Sequence, residues 1–314
     1  MGINAKRRKS LVAAAITVTA LSGAAVPAAA ATSPSPSSTD SVVLVASLRG
    51  ANEVPVAGGA AVGDKDGTAL EFIQVKGDQV TVALTWRGTG RPTDLQINQG
   101  AKGANGGMKI DFGNLLRTAK GNSVTGSVKV TDKALLKQLT TDPGAFYANL
   151  RTAEFPGGAV RGQLHAVTTV SDLKNGDLKN GGFQASVVTG KQIYECKPAT
   201  GGGYAFAQRD VSAKLDFGIR HSYVAPNSGT PQWVAPDGSA VTGTVLTKTA
   251  NGDGNIPELD LKATQSGKKH GLLAHTGEVL RLNTVGGVAP AGSCTPGAVV
   301  GVPYQADYVF VQLH

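Results

Sequence analysis

The chain has 314 residues, 41% of them hydrophobic and 17% charged, which excludes a disordered polyampholyte and leaves material for about two packed domains. Glycine at 42 residues and aromatics at 5% point to short strands with many turns and exclude long helical bundles and coiled coils. The formal charge of +8 drops to +4 once Lys6, Arg7, Arg8 and Lys9 are removed with a leader (30 basic residues become 26 against 22 acidic), an ordinary surface balance.

Those four cations precede an uncharged apolar stretch from Leu11 to Val26, then Pro27 and the small residues Ala28 to Ala31. This layout of basic, apolar and cleavage regions predicts a secretory signal peptide over 1–31. Arg7-Arg8-Lys9-Ser10-Leu11 fits the twin-arginine pattern only loosely, so general secretion is the expected route. The apolar stretch falls short of the ~20 residues that span a bilayer, and no transmembrane segment is expected after cleavage. A Pro/Ser spacer occupies 32–40, with no apolar period to bury.

The first domain is expected over 41–168. Strands are predicted at Val42–Leu48, Ala69–Val75 and Gln79–Trp86, the last two joined by the turn Lys76-Gly77-Asp78. In the third, Val80, Val82, Leu84 and Trp86 alternate onto one face. Met108–Phe112, Ser123–Val130, Phe146–Arg151 and Ala159–Val167 supply further strands. One short helix is predicted between them, capped by Thr131 with Asp132 in its first turn, striped by Ala134, Leu135 and Leu139, and stopped by Asp142-Pro143-Gly144. Seven or more short strands with one small helix predict a β-sandwich.

A tandem Asp-Leu-Lys-Asn-Gly repeat at 172–181 reads as a turn pair within a linker over 169–182. The second domain, 183–314, repeats the strand-and-turn texture, with strands at Gln192–Lys197, Tyr204–Gln208, Val241–Thr247, Leu259–Ala263, Glu278–Val285 and Tyr304–Leu313. Cys196 and Cys294 are the only cysteines, and an even pair in an exported chain predicts a disulfide that closes this domain. The whole is therefore expected to be all-β, two β-sandwich-like domains in tandem.

Leu48-Arg-Gly-Ala-Asn-Glu-Val-Pro-Val56 and Phe146-Tyr-Ala-Asn-Leu-Arg-Thr-Ala-Glu-Phe-Pro-Gly-Gly-Ala-Val-Arg-Gly-Gln-Leu164 resemble the opening motif and closing strand pair of the chordin-type (CHRD) domain. The resemblance implies an immunoglobulin-like sandwich. Where members of that family carry a His-x-His pair and a further histidine, this chain has Gln96, Asn98 and Arg151; amides are poor ligands for zinc or copper and a guanidinium cannot bind a cation, so no metal is expected there. The second domain is similar to the family called domain of unknown function 3455, through Gln192-Ile-Tyr-Glu-Cys196, Arg220-His-Ser-Tyr223, Gln232-Trp233, Ala235-Pro-Asp-Gly-Ser239, Leu282-Asn-Thr-Val-Gly-Gly287 with Cys294, and Val302-Pro-Tyr-Gln-Ala-Asp-Tyr308. That resemblance implies an extracellular protein with this same disulfide and brings no activity.

For chemistry, His221 is the leading lone candidate, with Asp237 a short loop away and Tyr223, Trp233 and Glu195 as binding candidates. The competing reading is a histidine bonded to loop backbone. No nucleophile elbow is present, and Asn251-Gly-Asp-Gly-Asn255 reads as a turn because Ile256 and Lys262 stand where a calcium loop needs glycine and glutamate. The expectation is a secreted, non-enzymatic binding or structural module. It would act on an extracellular or cell-wall ligand through the loops 99–107 and 221–239, with no cofactor and no nucleic acid. The alternative is an extracellular, metal-assisted enzyme centred on His221.

Overall fold

The computed structural model describes residues 41–169 and 178–313. The leader, the spacer and the first copy of the repeat lie outside these residues. The N-terminal body is one continuous sheet folded over on itself. Its strands are β1 (Ser41–Arg49), β2 (Thr68–Lys76), β3 (Gln79–Arg87), β4 (Pro92–Gln99), β5 (Met108–Asp111), β6 (Ser123–Lys129), β7 (Phe146–Thr152), β8 (Val160–Gln163) and β9 (His165–Ala166). The order is β5-β4-β7-β8-β1-β2-β3-β6, with β9 added on β1. Layers β5-β4-β7-β8 and β1-β2-β3-β6 enclose a core of Leu44, Leu48, Ile73, Leu84, Leu95, Ile97 and Phe112. Strand β4 was not expected; its Gln96 and Asn98 make it look like a polar loop, yet Leu95 and Ile97 alternate into the core.

The helix α1 (Lys133–Thr141) starts one residue later than anticipated. Asp132, not Thr131, is its cap and accepts a hydrogen bond from Leu135 N at 3.0 Å. That start turns Leu136 and Leu139 inward and leaves Ala134 exposed.

The C-terminal body closes as a barrel rather than stacking two sheets. β10 (Gly182–Pro198), β11 (Tyr204–Leu215), β12 (Arg220–Tyr223), β13 (Pro231–Val234), β14 (Ala240–Thr249), β15 (Glu258–Gln265), β16 (Thr276–Gly286) and β17 (Val299–Gln312) pair in sequence, and β17 returns to β10. Full closure leaves no sheet edge to cover. Alternating residues fill the interior with Trp233, Tyr308, Phe310, Val279 and Leu261. β10 and β11 run on beyond the barrel as a long hairpin, and there Cys196 is bonded to Cys294, across a sequence separation of 98.

The described residues, 41–169 and 178–313, fall within one compact unit. The outer faces of β1, β2 and β3 carry Val43, Val45, Leu70, Phe72 and Ala83, which pack on Leu280, Leu282, Val309 and Val311 of the barrel wall; Leu178, from the second repeat copy, joins them. β1 and β2 are therefore buried on both faces, which is why Val42-Val-Leu-Val-Ala46 is a continuous apolar run rather than an alternating one.

A polar knot completes this seam. Asp307 is fully buried, and both of its carboxylate oxygens accept hydrogen bonds from the Arg49 guanidinium. It also accepts from Ser47 Oγ at 3.0 Å, Ser186 Oγ at 2.7 Å and Asn283 Nδ2 at 2.8 Å. Asn283 holds a left-handed φ of 51° beside an irregularity of β16, a conformation asparagine tolerates, and this aims its amide into the knot. Asn52 Nδ2 in turn donates to Asn283 Oδ1 at 2.9 Å.

Candidate functional site

The side chains singled out from sequence lie in different places. His221 and Trp233 are register partners on β12 and β13 and point into the barrel. Their rings stack at 4.6 Å, and Tyr308 meets both edge-on at 5.1 and 5.7 Å. Only 4% of His221 is exposed, and its Nδ1 lies 2.9 Å from Gln232 O. Burial holds its imidazole far below the usual range, at about 3, so it is neutral at physiological pH. Tyr223 lines the same interior, and burial raises its phenol.

Asp237 and Glu195 are committed elsewhere. The Asp237 carboxylate accepts from Ser239 Oγ at 2.6 Å, Ser239 N at 2.8 Å and Leu272 N at 2.7 Å, ties that hold it below the ordinary carboxylate range. It thus fastens the turn after β13 to the loop before β16. Glu195, on the hairpin extension, accepts from Arg209 Nη1 at 2.9 Å and Asn227 Nδ2 at 3.3 Å, and the Arg209 bond leads the causes that lower its pKa. No hydrogen bond among the described residues links Asp237 or Glu195 to His221.

His221 has a measurable consequence for acid stability. The unfolded imidazole takes up a proton near pH 6.5 while the folded one resists until about 3, so stability is lost as pH falls through that window. His221→Phe is expected to flatten this part of the acid limb relative to wild type, as read from urea midpoints at pH 7, 5 and 4.

In the sandwich, Gln96 and Asn98 share the outward face of β4, and on the paired β7 Asn149 lies opposite Gln96 and Arg151 opposite Asp94. The three substituted positions are thus brought together, beneath the loop that carries Glu53. Asn149 Nδ2 donates to Glu53 Oε1 at 2.8 Å, and burial lifts the Glu53 carboxyl to about 7 against the pull of Arg161, Asn149 and Arg151. Glu53, Asn98, Asn149 and Arg151 line a hollow of about 250 Å³. Among the described residues no group of three or more His, Cys, Asp or Glu side chains is placed to hold a metal.

Several motif residues prove to be joinery. Gly50 lies so close to Asp64 that a Cβ would sit 1.9 Å from its carbonyl oxygen, and at Gly162 a Cβ would sit 2.5 Å from Ser47 O. Arg161, 2% exposed, lies 3.5 Å over the Tyr147 ring and donates to Ala104 O at 2.7 Å, Ala101 O at 3.1 Å and Asn105 Oδ1 at 3.2 Å. Gln163 Nε2 donates to Gly100 O at 2.8 Å. The loop 99–107, expected to be a free binding surface, is therefore pinned from below, and Lys102 reaches the barrel's Glu258 at 2.7 Å. Next to that contact, burial first and then repulsion from Glu278 push Asp260 up to about 7, while Glu278 accepts from the backbone of Thr168 and Thr169 at 2.7–3.0 Å.

One broad concavity has no counterpart in the sequence motifs. A groove of about 1090 Å³ runs across β10, β11 and β12 beside β16 and β17. Lys191, Lys214 and Arg220 line it, with Val188, Val285 and Pro303 as apolar walls. Register explains the grouping: Lys214 pairs directly with Arg220, and Lys191 pairs with Ser212, two residues along the same face from Lys214. Cross-strand partners have Cβ atoms ~5 Å apart and diagonal ones ~7–8 Å, so three cations form one row. No carboxylate, histidine or cysteine lines the groove. The neighbouring acid, Asp216, is engaged by Arg87 at 3.5 Å and by Ser186 N at 3.0 Å.

Residues 44–164 match the family model of the CHRD domain, and residues 208–312 match that described as Protein of unknown function (DUF3455). Both resemblances drawn from the sequence hold, although Gln192–Cys196 lies ahead of the second matched stretch. No curated protein matches the chain, and no solved structure does.

Proposed function

We propose that this chain, a CHRD-type sandwich carried into a DUF3455-type barrel, is an extracellular binding module that holds its ligand at the cell envelope or in the surrounding matrix without converting it. The observation that carries this reading is the content of the broad groove across β10, β11 and β12, which among the described residues offers cations and apolar walls and no carboxylate, histidine or cysteine to activate a nucleophile or move a proton. The groups singled out from the sequence are spent on structure: His221 is stacked and neutral, Asp237 bridges two loops, and Glu195 is ion-paired. Export is supported by the leader-like residues 1–31 and agrees with the Cys196–Cys294 bond, since disulfides persist in oxidising compartments. Among the described residues no helix is long and apolar enough to cross a membrane.

The test is capture. The protein lacking residues 1–31 is applied to fractionated cell wall, exopolysaccharide and secreted proteins, with Cys196→Ser as a control for the stapled hairpin. Saturable retention on one fraction, with the fraction chemically unchanged after long incubation, is the expected result. Steady release of product from any fraction would overturn the reading, as would recovery of the protein, in its source cells, from the cytosol alone.

A further inference from the structure

We infer that the groove across β10, β11 and β12 is a binding site for a carboxylate-bearing polysaccharide chain. This rests on the binding reading above and adds the ligand's chemistry. Lys214 and Arg220 stand directly opposite one another across the β11–β12 pair, and like charges in that position destabilise a sheet. Natural sheets commonly relieve such a pair with a nearby carboxylate. Here, among the described residues, none of Lys191, Lys214 and Arg220 has an acidic partner within ion-pair distance, whereas Arg49, Arg87, Lys102, Lys129, Lys197 and Arg209 each have one. A row of cations left unpaired in a concavity is an electrostatic trap for an anion.

The shape narrows the anion. All three cations are exposed and carried on flexible side chains, so a single small anion would be held weakly in water. A polymer that engages the three together gains from each contact while losing its overall freedom once. The groove is open, and its cations follow one another across successive strands at ~7–8 Å (Lys191 to Lys214) and ~5 Å (Lys214 to Arg220), steps that neighbouring rings of one extended chain can bridge. Its walls are not polar: Val188 and Val285 are 55% and 60% exposed, and Pro303 joins them. Stiff rings with C–H faces can lie against these walls while their carboxylates meet the cations. A polyol-phosphate chain has no such faces and is costlier to order. Nucleic acid would call for aromatic platforms, and the one aromatic lining the groove, Tyr304, is only 3% exposed.

The experiment measures binding of the full mature protein to polygalacturonate, to a teichoic acid and to single-stranded DNA at 50 and 200 mM salt. Wild type is expected to prefer polygalacturonate. Three released counterions, taken at the single-strand slope, give roughly a 20-fold loss of affinity between the two salts. The triple variant Lys191→Gln, Lys214→Gln, Arg220→Gln is expected to bind at least about tenfold more weakly at 50 mM and to lose most of the salt dependence. A control triple, Lys109→Gln, Lys133→Gln, Lys137→Gln, removes the same charge from exposed positions on the sandwich and is expected to bind as wild type. Equal binding by wild type and the groove variant, equal weakening by the control, or preference for teichoic acid or DNA each overturns the inference. If the groove variant is still captured by the wall fraction as wild type is, the inference fails while the envelope-binding reading stands. If wild type is captured by no fraction, that reading fails too.

Discussion

Asp307→Ala is expected to destabilise the protein by about 2–4 kcal/mol, somewhat under the cost of breaking a wholly buried ion pair because Arg49 is one-third exposed. The carboxylate is wholly buried, and its removal strands more than Arg49. Ser47, Ser186 and Asn283 all donate to it, and each loses an acceptor in a place water does not readily reach. Because Ser47 and Arg49 lie on the sandwich and Asp307 on the barrel, the loss falls on the seam between them. Urea unfolding, expected as a single transition in wild type, is expected to split into separate sandwich and barrel steps in the variant. The double variant Arg49→Met, Asp307→Leu should recover part of the stability, since the apolar neighbours of the seam accept hydrocarbon where they do not accept a lone charge. If Asp307→Ala costs under about 1 kcal/mol with the transition still single, the knot is ornamental and the apolar seam holds alone.

Glu71 sets the second large effect. It follows the inward alternation of β2, between Ala69 and Ile73, and its register partners are Ala46 and Leu84, both core residues. The carboxyl is 0% exposed, neither oxygen has a hydrogen-bond partner, and burial raises its pKa to about 8. The folded protein therefore keeps a proton that the unfolded chain releases above the ordinary carboxyl value of 4.5, and stability falls as pH rises through the window from 4.5 to about 8. At 1.36 kcal/mol per unit the shift corresponds to a loss on the order of 5 kcal/mol. Glu71→Leu is expected to remove that slope and to exceed wild type clearly at pH 9, with a small difference at pH 4.5. Urea midpoints at the two pH values check it, read as the difference between variant and wild type because Glu53 and Asp260 also titrate upward. An unchanged slope in the variant would mean that the carboxyl reaches water in solution.

Both effects concern residues that sequence reading passed by for understandable reasons. Glu71 lies inside a strand that the sequence predicts, and counting by twos from Ala69 places it inward; a glutamate is credited to solvent because buried ones are rare. Asp307 sits within Val302–Tyr308, a stretch distinctive enough to carry a resemblance, yet nothing local says that its partner is Arg49. The Arg-Gly-Gln run at 161–163 was legible as a signature, and its physical work in pinning the loop 99–107 was not.

The candidate site divides in the same way. His221, Trp233 and Tyr223 were chosen as neighbours along the chain, and the structure does bring them together, but inside a wall rather than at a surface. The loop reading of 221–239 fails at its start and in its middle, because Arg220–Tyr223 and Pro231–Val234 are barrel strands, and holds for 224–230 and 235–239. Lys191, Lys214 and Arg220 look like scattered surface cations until pairing registers align them.

What the sequence by itself determined is local: the class of structure, most strand positions, the tight turn after β2, the small helix to within a residue, and the pairing of the two cysteines. Alternation, turn chemistry and cysteine count act over a few residues or leave one choice. Tertiary structure alone decided that the second body closes on itself, that β1 and β2 are covered on both faces, and that three cations form one row. Each of these depends on which distant strand lies alongside, and a strand's pattern records that one of its faces is buried without recording what buries it.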